Sequence, residues 1–141
     1  MKARVKLIDG MMFAAESGSG HAIIVDGPPD IGGRNLGMRP MELLLLGLGA
    51  CSAVDVVHIL RKGREAVTDC VVELEGERAA TDPKVFTDIR LRYVVTGRKL
   101  APAKVERAVA LSAEKYCSAS AMFAKTARIV HSIEIIDAAE A

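Results

Sequence analysis

Apolar and polar positions along the chain form short alternating stretches around one long apolar run. Residues 2 to 8 set Val5 and Leu7 against Arg4 and Lys6, a period of two that predicts a strand with one wet face. Asp9-Gly10 is a tight-turn signal, so Met11 to Glu16 reads as the return strand of a hairpin. Ser17-Gly18-Ser19-Gly20 predicts a second turn, and His21 to Asp26 a third strand running into Gly27-Pro28-Pro29. From Gly27 to Pro40 the chain carries three prolines and four glycines, which predicts a long loop of the kind that often covers a site.

The apolar run predicts a helix from Pro40 to Lys62, with proline and Glu42 in its first turn and Gly63 as its stop. Its apolar residues fill every side, so it is expected to be buried all round. A second helix, Pro102 to Tyr116, places Val105, Val109 and Ser112 on one stripe and Lys104, Arg107 and Lys115 outward. One helix of that size would struggle to cover the first. An obligate homodimer is therefore expected, its central helices packed together with Gly47, Gly49 and Ala50 allowing close approach. Val67 to Glu77 and Val85 to Thr96 read as two long strands joined by a hairpin loop over Arg78 to Lys84. Cys70, Val72 and Leu74 point inward from the first; in the second, Ile89, Leu91 and Tyr93 oppose Phe86, Asp88, Arg90 and Arg92. Ala127 to Ile136 reads as a closing strand and Asp137 to Ala141 as a frayed tail. The fold class is α+β: antiparallel strands with a long buried central helix and a second helix, in a single domain over 1–141.

Composition narrows the function. With 141 residues, a net charge of +1 and no tryptophan, the chain lacks the basic stripe and stacking residues of a nucleic-acid surface. The basic amino terminus has no continuous apolar stretch behind it, so no signal peptide is read and a cytoplasmic location is expected. The run from Met41 to Leu60 is long enough to raise the question of a membrane. It carries Glu42, Asp55 and His58, however, and an acidic group near mid-bilayer costs about 2.5 to 3.5 kcal/mol. No membrane partner is expected. Three cysteines in a reducing compartment favour free or catalytic thiols; their spacing matches no zinc pattern, and neither metal nor cofactor is expected.

Cys51 lies in the apolar helix, where a thiolate is disfavoured, and more than two turns from the helix start. A reactive Cys51 therefore needs a cation, and Arg34, Arg39 and Arg4 are the candidates. Asp55 and His58 stand four and seven residues further on and share its stripe. Seven residues of rise is about 10 Å, too far for His58 to deprotonate Cys51 within one helix. His58 is read as a buried or helix-end histidine, and Asp55 as satisfied by a neighbour or at the rim of a site. Cys117 follows the second helix, where carbonyl dipoles suit a resolving thiol better than an attacking one. Cys70 is read as core.

The segment Pro40-Met41-Glu42-Leu43-Leu44-Leu45-Leu46-Gly47-Leu48-Gly49-Ala50-Cys51-Ser52-Ala53-Val54-Asp55 resembles the central helix of the OsmC/Ohr family, and Glu114-Lys115-Tyr116-Cys117-Ser118-Ala119-Ser120 resembles its second cysteine segment. The order of elements resembles that family over nearly the whole chain. The resemblance implies an OsmC-like fold, an intertwined homodimer with sites at the subunit interface, and a thiol peroxidase that reduces organic hydroperoxides. It further implies Cys51 as the peroxidatic cysteine, Cys117 as the resolving one, and a dithiol reductant such as a lipoylated protein; the activating cation comes instead from the need to ionise a buried thiol, which nominates Arg34 or Arg39 near the helix start, held by Glu42. Met41 follows Pro40 and Glu42 comes one position later, a Pro-x-Glu-Leu-Leu-Leu pattern similar to the YhfA-like branch. The competing reading is a non-catalytic or redox-sensing dimer that binds a small hydrophobic molecule at its interface.

Overall fold

Alternation in the first 26 residues gives three strands, β1 (Ala3–Asp9), β2 (Met12–Ser17) and β3 (Ala22–Asp26), paired antiparallel in that order. Gly10, at φ +56°, makes the first turn. The computed structural model describes residues 1–138, which separate into two compact units, Met1–Leu44 and the chain from Leu45 onward. The sequence reading expected one domain.

In the first unit the long loop is pinned rather than free. The buried carboxylate of Asp26 accepts the backbone N–H of Arg34 at 3.0 Å and of Leu36 at 3.1 Å through Oδ2. These amides, Leu36's foremost, hold the carboxyl below the usual aspartate range against the opposing effect of burial. Gly33 passes so close to the chain that a Cβ there would meet the Gly27 carbonyl oxygen at 1.7 Å, so only glycine fits.

Helix α1 (Pro40–Lys62) begins in the first unit and continues into the second. There follow β4 (Ala66–Arg78), β5 (Phe86–Arg98), α2 (Pro102–Leu111), a wide π turn over Ser112–Tyr116, α3 (Ser118–Phe123) and β6 (Arg128–Asp137). The tail expected over Asp137 to Ala141 begins inside β6, and residues 139–141 lie outside the described ones. Strand β5 is central. It pairs antiparallel with β4 and parallel with β6, so the last strand departs from the antiparallel expectation. The parallel pairing follows from connectivity, because α2, the π turn and α3 carry the chain back to the edge at which β5 began.

One face of β5 is core: Ile89, Leu91, Tyr93 and Val95 are all within 1 % of complete burial. Phe86 was expected on the opposite face, yet it is buried too. A register irregularity between Glu77 and Arg78 turns it inward. The other face is wet, with Arg90 paired to Glu75 and Glu77, and Arg92 to Glu73 and Glu134. Such exposed pairs add little stability, but they keep this face soluble.

Helix α1 is not buried all round within a single chain. Leu48, Gly49, Ser52, Val56 and Leu60 form its buried stripe, while Leu44, Leu46 and Val54 are about half exposed or more, at 51, 49 and 69 %. Gly49 was expected to admit a partner helix. Instead it admits β4 of its own chain: a Cβ there would lie 2.5 Å from Leu74 Cδ1, whereas Gly47 faces open space. By length and composition α1 could cross a membrane, but its inward stripe is packed in protein. After Lys62 the left-handed residue is Arg64, at φ +61°, rather than Gly63. Helix α2 buries Val105, Ala108 and Val109 and has no side-chain cap of its own. Glu65 supplies one from outside, accepting the Ala101 N–H at 2.9 Å and the Lys104 ammonium at 2.6 Å, and the lysine holds its carboxyl below the usual range.

Candidate active site

The two cysteines and the groups around them lie in the second unit. Cys51 and Asp55 are one turn apart on α1, so their side chains leave the same side of the helix. Cys117 arrives from the far end of α2. Its N–H reaches back to the Ser112 carbonyl at 2.9 Å, five residues earlier, and this wide turn ends the helix with the sulfur facing α1. The two sulfurs and a carboxylate oxygen of Asp55 all lie within 4.8 Å of one another. Cys51 is half-buried and Cys117 is 3 % exposed, and both thiols are free.

The sequence reading set Cys117 at a helix carboxyl end. It is also the N-cap of α3, a helix the reading missed, and its sulfur accepts the Ser120 N–H at 3.4 Å. Burial pushes the Cys117 thiol up; the Ser120 hydrogen bonds pull it down, and the Cys51 sulfur alongside pushes it up again. Burial wins. At neutral pH Cys117 is held as a thiol until a proton acceptor is available.

Behind the cysteines runs a buried chain of hydroxyls. Ser112 Oγ donates to Asp55 Oδ2 at 3.1 Å, Ser52 Oγ lies 3.1 Å from Ser112 Oγ, and Tyr93 Oη lies 2.6 Å from Ser52 Oγ. Ser52, Tyr93 and Ser112 are fully buried. The Tyr93 phenol is pushed up by burial, partly offset by Ser52, so it stays protonated and can serve as a donor. The network fixes the Asp55 carboxylate and tethers α1 to both β5 and the end of α2. Sequence reasoning missed it. The available signal was a hydroxyl at Ser52 and another at Ser112, each on an otherwise apolar stripe.

A cavity of about 420 Å³ opens beside the cluster, walled by Asp55, His58, Ile59, Lys62, Leu111 and Tyr116. His58 is exposed there, near the carboxyl end of α1, which fits the helix-end reading rather than the buried one. Cys70, on β4, is half-buried; burial, with Asp69 adding, raises its thiol. The remaining candidates belong to the first unit. Arg34 Nη2 pairs with Asp9 at 2.9 Å, and Arg39 Nη1 bonds Asn35 at 3.3 Å. Glu42 was expected to hold a guanidinium. Its Oε2 accepts the Arg39 backbone N–H at 2.9 Å, a capping contact at the start of α1. Arg4 pairs with Glu16 on exposed strands.

Residues 32–132 match the profile of the OsmC-like protein family. The chain belongs to that family. This OsmC-like chain is 50 % identical to Protein YhfA of Escherichia coli (strain K12), over 98 % of its own length and all of the relative's. A crystal structure of a hypothetical protein from Aquifex aeolicus VF5 is 35 % identical, with a TM-score of 0.84 and 96 % of each chain covered. At 22 % identity, an organic hydroperoxide resistance protein OsmC from Legionella pneumophila shares the fold, with a TM-score of 0.71 over 95 % of this chain and 97 % of that one.

Proposed function

We propose that this OsmC-like protein is a thiol-dependent peroxidase that reduces organic hydroperoxides with Cys51 and Cys117. The observation that carries the reading is the approach of the two sulfurs to within 4.8 Å of each other and of the Asp55 carboxylate. Cys51, the more accessible thiol, loses its proton and attacks the terminal peroxide oxygen. The O–O bond breaks, alkoxide leaves and takes up a proton as alcohol, and Cys51 becomes a sulfenic acid. Cys117 then attacks that sulfur, releasing water and forming the disulfide. Asp55, fixed by Ser112, stands where it can take a thiol proton directly or through one water. A cellular dithiol, such as a lipoylated protein, returns both thiols to the reduced state. The name of the Legionella relative supports the choice of substrate.

Dimerisation belongs to the same proposal. Val5, Leu7, Val54 and Val71 are 66, 53, 69 and 44 % exposed, an amount of bare apolar surface that suits a second copy of the chain. For ionising Cys51 the sequence offers Arg34 and Arg39. The pH dependence of Cys51 alkylation in Arg34→Met and Arg39→Met measures whether either acts on it.

The test is turnover of cumene hydroperoxide with a dithiol reductant. Cys51→Ser loses all reduction, whereas Cys117→Ser consumes one equivalent per site and then stops. Equal turnover in wild type and Cys51→Ser would remove the peroxidase reading and favour a binding protein whose thiols stay reduced.

A further inference from the structure

The same three side chains form a donor set for a metal ion. Two sulfurs and a carboxylate oxygen lie within 4.8 Å of one another, near the spacing that donors around one ion require. Zinc bonds thiolate sulfur at about 2.3 Å and carboxylate oxygen at about 2.0 to 2.2 Å, which sets donors at a tetrahedral site roughly 3.5 to 4 Å apart. Each fixed donor already has an outer partner. Ser112 Oγ holds Asp55 Oδ2 at 3.1 Å and is itself bonded to Ser52, while the Ser120 N–H holds the Cys117 sulfur at 3.4 Å. Such outer bonds orient metal ligands in advance.

We propose that the reduced protein binds one zinc-class divalent cation per chain through Cys51, Asp55 and Cys117, with a fourth position open to the cavity beside Asp55. Two thiolates select a borderline-soft ion over magnesium or calcium. Three protein ligands and an open position match accessible zinc sites rather than closed structural ones. Binding displaces two thiol protons per ion, leaves the oxidation state of sulfur and metal unchanged, and gives a site of net charge −1. A Cys51–Cys117 disulfide has no thiolates to offer, so oxidation releases the ion, and a bound ion shields both sulfurs from peroxide. This redox dependence rests on the dithiol reading above; the binding itself does not.

The experiment titrates the phosphine-reduced full chain with Co²⁺ and then Zn²⁺, following sulfur-to-cobalt charge-transfer absorption, proton release and competition with a chromophoric chelator. One ion per chain, two protons released per ion and the spectrum of a tetrahedral cobalt–thiolate site are expected. Asp55→Asn keeps both thiols and is expected to weaken binding by about tenfold or more. Cys70→Ser binds as wild type does. Absence of charge-transfer bands in the folded, reduced wild type overturns the proposal, as does undiminished binding in Asp55→Asn or loss of binding in Cys70→Ser. Circular dichroism confirms the fold of each variant, and the wild-type titration stands without any of them. Peroxide turnover without metal binding removes this inference alone. Metal binding without turnover removes the peroxidase reading alone.

Discussion

Ser52 is a hydroxyl on the buried stripe of α1, between Leu48 and Val56, and it is bonded to Tyr93 Oη and to Ser112 Oγ. Ser52→Ala leaves a buried phenol short of a partner, and an unsatisfied buried polar group costs about 1 to 3 kcal/mol. The urea midpoint should fall accordingly, with more loss than Ser118→Ala on the exposed surface. His131 gives a second residue-scale prediction. It stacks on Tyr93 with ring centroids 5.9 Å apart, its Nε2 is buried without a partner, and burial lowers its pKa from the ordinary 6.5. The folded state therefore binds this proton less readily than the unfolded chain, and stability is lost as pH falls below about 6.5 toward the folded value. His131→Phe should flatten the wild-type fall in urea midpoint on the acid side and change the alkaline side far less. An unchanged pH slope would show that other groups carry the acid sensitivity. At this scale the sequence made Cys51 and Cys117 visible because cysteines are few, but not Asp55's role. Asp55 gains its meaning from Ser112, 57 positions later, and no local pattern announces that pairing.

At the scale of elements, periodicity was legible wherever a strand or helix has one wet and one dry face. The alternation of β4 and β5 and the Val105–Val109 stripe of α2 appear in the structure as the sequence predicts them. Two features were not legible. Helix α3 is only six residues long, too short to show a period, and it turns Cys117 from a helix end into a helix cap. The irregularity that buries Phe86 is a single change of register, invisible to an alternation rule. The end of α1 supplies a test. Arg64 occupies left-handed backbone that glycine adopts without strain, and its neighbour Gly63 does not. Arg64→Gly should stabilise the protein by about 1 kcal/mol, because left-handed backbone costs a residue with a Cβ about that much. Thermal unfolding of the two proteins measures it, and a lower Tm for the variant would show that the Arg64 side chain contributes more than its backbone costs.

At the scale of the whole molecule, apolar side chains stay exposed in both units, among them Val5, Leu7, Val54 and Val71. All seven residues of β1 are exposed, and a cavity of about 380 Å³ in the first unit is walled by Val5, Ala15, Ile23 and Leu43 among others. Stable association of this kind buries on the order of 2,000 Å² or more. If the proposed dimer forms, light scattering at micromolar concentration gives twice the chain mass of 15.0 kDa, and a monomer would contradict that proposal. Cys51 and Cys117 are proposed to act as one dithiol. The most direct measurement of this is mass spectrometry of the reduced protein after one equivalent of cumene hydroperoxide, with peptide mapping. A Cys51–Cys117 dithiol loses two hydrogens per chain and gives a single cross-linked peptide pair joining Cys51 to Cys117, with Cys70 still alkylatable. An unchanged mass, or a disulfide through Cys70, would contradict it.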